Sequence, residues 1–145
     1  MIYLLRSFLA YFAGFVTAIG LIIAIELGAS LLYPSPPNLN PQDPAAMEAY
    51  MKTLPLGAFL MLIGAWVLGT FAGTWVTTLL VPGARRLPAV VMGLVFELAT
   101  IAMLVTIPHP LWMWGACLLI PLAAALGSVL AHRPTSPAPE PAVTP

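Results

Sequence analysis

Four long apolar stretches, separated and flanked by segments that gather most of the proline and charge, organise this chain. They read "FLAYFAGFVTAIGLIIAIELGASLLY" over about 8–33, "LGAFLMLIGAWVLGTFAGTWVTTLLV" over 56–81, "LPAVVMGLVFELATIAMLVTI" over 87–107 and "LWMWGACLLIPLAAALGSVLA" over 111–131. A helix needs about 20 apolar residues to cross a hydrocarbon core of about 30 Å, and each stretch is long enough. Strict alternation of apolar and polar positions is absent, which argues against a transmembrane barrel. The first stretch outruns the apolar core of a cleavable signal, typically about 7–15 residues, so it reads as a retained span. The expected fold is all-α: a four-helix transmembrane bundle formed by residues 1–132 as one membrane domain.

The polar segments orient it. Arg6 precedes the first span, Arg85 and Arg86 lie between the second and third, and Arg133 follows the fourth. The opposite side carries only Lys52. Basic residues mark the cytoplasmic side of short loops, so both termini are expected in the cytoplasm. Loops 34–55 and 108–110 then face outward. Tyr3 and Trp75 suit the inner interface, and Tyr33, Trp112 and Trp114 the outer.

The first outer loop has a pattern of its own. "YPSPPNLNPQDP" is too rich in proline for regular structure. In "DPAAMEAYMKTLP", Asp43 is a good helix N-cap and Pro44 suits the first helical position. Met47, Tyr50, Met51 and Leu54 fall on one face, and Glu48 and Lys52 form an i,i+4 pair. The pattern predicts a short amphipathic helix, either lying on the outer membrane interface or covering the bundle. The ending "RPTSPAPEPAVTP" is too polar and proline-rich to pack, so 133–145 reads as a disordered cytoplasmic tail.

Composition sharpens the class. Of 145 residues, 61% are hydrophobic and 7% charged, where soluble domains carry about 25% charge. Mean hydropathy is +0.99. So much apolar surface needs lipid as its solvent. Formal net charge is zero and the basic residues are scattered, so no nucleic-acid partner is expected. The single cysteine, Cys117, excludes an internal disulfide and a CxxC redox pair.

Few residues could carry chemistry. Glu97 lies near the middle of the third span, roughly 16 Å from either end at about 1.5 Å per residue. An acid at that depth costs about 2.5–3.5 kcal/mol on insertion scales, so it is expected to face other helices. No arginine, lysine or histidine shares its depth, which favours a neutral, hydrogen-bonded carboxyl. Thr100 shares its helix face, and Thr17, Thr70 and Thr74 lie at similar depth. These five form a candidate intramembrane polar site, either a proton- or ion-coupled centre or interhelical glue. Glu26 lies about 10 Å below the outer end of the first span, within conceivable reach of His109 in "IPHPLW". These two are the candidate outer-interface pair.

Packing signals are plainer. Ala65, Gly69 and Gly73 recur at four-residue spacing, with a GxxxG match, and Ala10 and Gly14 offer a similar face on the first span. Such faces permit close helix approach within one chain or between copies. Pro121 is expected to kink the fourth span and free the carbonyl of Cys117. Ser128 and His132 stand four apart without other signs of an acyl-transfer site. His109 and His132 fall on opposite sides of the membrane, which argues against haem ligation within one chain. Asp43 is the only aspartate, so an intramembrane aspartyl dyad is excluded. No HExxH, GxSxG or phosphate-binding glycine loop occurs. The expectation is a protein without enzymatic activity, cofactor or metal.

The stretches "IELGASLLYPSPP", "YMKTLPLGAFLMLIGAWVLGTFAG" and "IPHPLWMW" together resemble a family of small bacterial four-helix membrane proteins with no assigned function. The resemblance covers most of residues 5–130. It implies a bacterial inner-membrane protein and implies no substrate and no catalytic residues. Glu26, "LPLGAF" and "PHPLW" lie within the shared pattern, and Glu97 lies outside it. Two functions follow as expectations. One is a structural or accessory subunit docked on a larger membrane assembly, preferred because polar content is low. The alternative is a homo-oligomeric transporter or channel for a small solute, ion or proton, using Glu97 and Glu26.

Overall fold

The computed structural model describes residues 2–81, 83 and 86–131. The proline-rich ending 133–145, His132 and two of the orienting arginines, Arg85 and Arg133, lie outside the described residues. Five α-helices follow in order: α1 Ile2–Leu32, α2 Pro44–Thr53, α3 Leu56–Leu80, α4 Leu87–Thr106 and α5 Ala116–Ala131. A 3₁₀ turn, Leu111–Gly115, leads into α5. Four helical segments, the last being this turn with α5, are long and apolar enough to cross a membrane.

Helix bounds follow the hydropathy pattern closely in the middle of the chain and less so at two places. First, α1 begins six residues before the apolar run, at Ile2. Arg6 and Ser7 do not stop it, because polar side chains at a helix end can reach headgroups and water. At about 1.5 Å per residue, its 31 residues extend about 46 Å, well beyond the hydrocarbon core. Second, the fourth span is not α-helical from its start. Pro110 precedes a tightened turn closed by Met113 N–H donating to the Pro110 carbonyl at 2.9 Å. The Ala116 N–H is shared between the carbonyls of Met113 and Trp114. This turn buries Met113 completely and leaves Trp112 and Trp114 partly exposed. Beyond it, α5 runs through Pro121, whose ring sits on an exposed face.

The short helix forms as its sequence dictates. Asp43 Oδ1 accepts from the N–H groups of Ala45 at 3.0 Å and Ala46 at 3.4 Å. Lys52 Nζ donates to Glu48 Oε1 at 2.6 Å. Ala46, Met47, Tyr50 and Met51 are its half-buried positions, joined by the C-cap Leu54. Met51 and Leu54 pack against the hydrophobic core, so α2 covers one end of the bundle.

Helix α3 is the hub, with interfaces to α1, α4 and α5. Its interface with α1 is the most extensive in the molecule, and its cause is a notch of small residues. A Cβ on Gly73 would fall 2.6 Å from the Gly14 carbonyl oxygen and 2.7 Å from the Ala18 Cβ. A Cβ on Gly69 would fall 2.5 Å from Ile22 Cγ1. Ala65, on the same face, is fully buried. The small-residue face thus serves packing inside one chain. On the other side of α3, Gly127 of α5 lies against the Phe71 carbonyl.

Phe59, Trp66, Met92, Phe96, Leu104, Met113 and Ile120 fill the core. Outward positions are apolar as well, with Leu98, Leu118, Leu122 and Val129 among many exposed side chains. An apolar surface this extensive fits hydrocarbon and not water.

Candidate functional site

Glu26 occupies a seam that the helix arrangement leaves open. Helix α1 rests on α3, and it touches α4 through the stacked rings of Phe15 and Phe96, 5.9 Å apart. Beyond that contact, toward the α2 end, the helices part. The gap is a cleft of about 240 Å³ walled by Ile19, Ile22 and Glu26 of α1, Trp66 of α3, and Phe96, Ala99, Thr100 and Met103 of α4. Glu26 also borders a second cleft of about 160 Å³, between α1, α2 and α3. Tyr33, Tyr50, Leu54 and Met61 contribute to its wall.

The half-buried Glu26 carboxyl makes no ion pair or hydrogen bond among the described residues. The expected pair with His109 does not form. His109 turns its Nδ1 to the Ile107 carbonyl at 2.8 Å. A carbonyl only accepts, so Nδ1 carries the hydrogen. The imidazole instead lies edge-on to Trp66, with centroids 6.3 Å apart. Trp66 therefore borders both groups: one part of it lines the Glu26 cleft while its ring meets His109. The tight loop 108–110 folds the imidazole back onto its own backbone and so occupies Nδ1.

The second expected cluster is divided too. On α4, the buried face runs through Met92, Gly93, Phe96, Thr100 and Leu104. Ala99 and Met103 lie on the edge toward the Glu26 cleft, whereas Gly93 faces Ala124 of α5. Glu97 is one turn beyond Gly93, on the α5 edge. The Cys117 thiol of α5 lies beside its carboxylate. Glu97 is half-buried, and its Oε2 is covered without a hydrogen-bond partner. Thr100, placed with Glu97 by spacing, lines the Glu26 cleft.

The remaining threonines do not converge on either acid. Thr17 Oγ1 donates to the Ala13 carbonyl of its own helix at 2.8 Å. Thr70 and Thr74 are fully buried in α3, with hydroxyls that reach no partner. Thr77 and Thr78 donate to the carbonyls of Gly73 and Thr74, each at 2.8 Å. Threonine hydroxyls bonded to the preceding turn can sit in apolar surroundings without a binding role.

Trp66 is the site residue that the sequence pattern did not single out. The signal was available: it is the one tryptophan in the middle of a span, away from the interfaces where Trp usually gathers. No group of three or more metal-ligating side chains occurs among the described residues. No protein-family model, curated protein or solved structure matches the chain.

Proposed function

We propose that the protein is a multi-pass membrane protein, with both termini cytoplasmic, that serves as an accessory subunit of a larger membrane assembly. The observation that carries this reading is the position of Glu97. It stands at mid-height on the α5 edge of α4, half-buried, with a thiol as its polar neighbour. An acid in that position costs about 2.5–3.5 kcal/mol unless something completes its hydrogen bonding. A donor or acceptor on a neighbouring helix of a partner protein would do so. The core between the helices supports the same reading, because it is largely apolar and two of its buried threonines, Thr77 and Thr78, bond their own backbone.

The test is native mass spectrometry after gentle extraction from the native membrane. We expect a partner protein at fixed stoichiometry. Glu97→Gln, which still donates and accepts, keeps the complex, and Glu97→Leu loses it. Isolation of the wild type only as a homo-oligomer would overturn this reading.

A second reading is favoured by the Glu26 cleft: a homo-oligomeric carrier of a small solute, ion or proton. It requires flux across proteoliposomes that Glu26→Gln abolishes. Absence of such flux across ions, protons and small solutes would exclude it.

A further inference from the structure

We infer that the Glu26 cleft is a binding site for a small organic monocation with an apolar body, an ammonium joined to an aromatic or alkyl group. The inference concerns occupancy and stands whether or not the ligand is carried across the membrane.

Three observations point to this chemistry. The first is uncompensated charge. Glu26 is half-buried on a helix of mean apolar character, yet no cation among the described residues reaches it. Lys52 is held by Glu48, and His109 is bonded to the Ile107 carbonyl. Arg6 sits 20 residues away on the same helix, about 30 Å at 1.5 Å per residue. A carboxylate among apolar groups calls for a counter-charge or a proton. A bound cation supplies the counter-charge, whereas a neutral ligand leaves the carboxyl dependent on a proton.

The second is the aromatic lining of the two clefts that Glu26 borders. Trp66 and Phe96 border the larger cleft, and Tyr33 and Tyr50 border the smaller one. Aromatic faces attract organic cations, most strongly where water is excluded. Thr100 adds a hydroxyl within the larger cleft. An ion stripped of all hydration would find too few oxygens here, because Glu26 and Thr100 are the polar side chains of that cleft. A cation that brings its own apolar covering needs only one carboxylate and aromatic contact.

The third is size and depth. The larger cleft holds about 240 Å³, enough for a benzyl-sized body with a small ammonium. Glu26 lies six residues inside the end of α1, about 9 Å along the axis. A lipid headgroup would have to pull its phosphate toward the carboxylate to place an ammonium there. A free amphiphilic cation carries no such penalty, so we assign the site to it.

The probe is radiolabelled benzyltrimethylammonium, measured by equilibrium dialysis against the full chain in dodecyl maltoside, with empty micelles as background. We expect saturable binding at about one site per chain. Glu26→Gln and Trp66→Leu should each weaken it about tenfold or more, while Glu26→Asp and Glu97→Gln retain it. Neopentylbenzene, the uncharged isostere, should fail to compete. Displacement by added phosphatidylethanolamine would show that headgroup ammonium is also accepted and would overturn the assignment to a free cation. Absence of saturable binding to the wild type overturns the inference. So does binding that Glu26→Gln leaves unchanged, or equal competition by neopentylbenzene. Far-ultraviolet circular dichroism checks that each variant remains helical, and Glu26→Asp separates loss of charge from loss of fold.

Discussion

At the scale of single residues, the two ends of the chemistry behave differently. Glu48 is exposed, and its carboxyl is held below the usual carboxylate range, first by the hydrogen bond from Lys52 and then by its charge. A carboxyl whose folded value is depressed stabilises the fold at pH above its ordinary value. That contribution fades as pH falls through the lower folded value. Titration of the Glu48 side chain by NMR should show the depression, and Lys52→Met should raise the midpoint toward the ordinary range. Molar salt should act in the same direction. This pair was legible in the sequence because both partners lie one helical turn apart, as do Asp43 and the amides it caps. The Glu26–His109 pair was not, since it depended on how a three-residue loop folds. Glu97 and Thr100 share a buried helix face, yet about 60° of rotation separates them. That angle sends one toward α5 and the other into the Glu26 cleft, a distinction that depth alone does not carry.

At the scale of elements, the small-residue notch decides which helices touch. Gly73→Leu places a side chain where the Gly14 carbonyl and Ala18 already stand. It should destabilise the bundle by about 1–3 kcal/mol, the usual range for overpacking, with larger loss if α1 detaches. Gly20→Ala is the control: a Cβ there meets nothing within 4 Å, and alanine favours the helix. Unfolding in sodium dodecyl sulfate, followed by circular dichroism, should show an earlier midpoint for the first and an unchanged or later one for the second. The existence of the four spans was legible because each apolar run has the length of a bilayer core. The partner of the notch was not, since a GxxxG face serves contacts within a chain and between chains equally well. The 3₁₀ start of the fourth span was also hidden. "PHPLW" announces a turn, but hydropathy does not distinguish a 3₁₀ coil from an α-helix over five residues.

At the scale of the whole molecule, four passes bring the start of α1 and the end of α5 to one end of the bundle, while α2 covers the other. The proposed orientation can be checked in a Cys117→Ser background with single cysteines introduced at Ser7 or Ser35. A membrane-impermeant maleimide should label Ser35→Cys in intact cells and should reach Ser7→Cys only after the cells are opened. The reverse pattern would invert the topology.

The hub position of α3 bears on how the chain is built as well as on how it rests. The most extensive interface joins α1 to α3, which leave the ribosome before α4 and α5. Synthesis at about 5–20 residues per second leaves them seconds together before α5 is complete. Their glycine notch closes mainly on Gly14, Ala18 and Ile22 of α1, with Met92 of α4 added later. The second face of α3, against α5, is filled only when α5 arrives. Biogenesis should therefore pass through a paired hairpin that waits, one flank unsealed, for its final stave. A chain stalled once Gly83 has emerged from the ribosome should already hold α1 against α3, while a stall before Gly127 has emerged should leave the Phe71 flank open to membrane quality control.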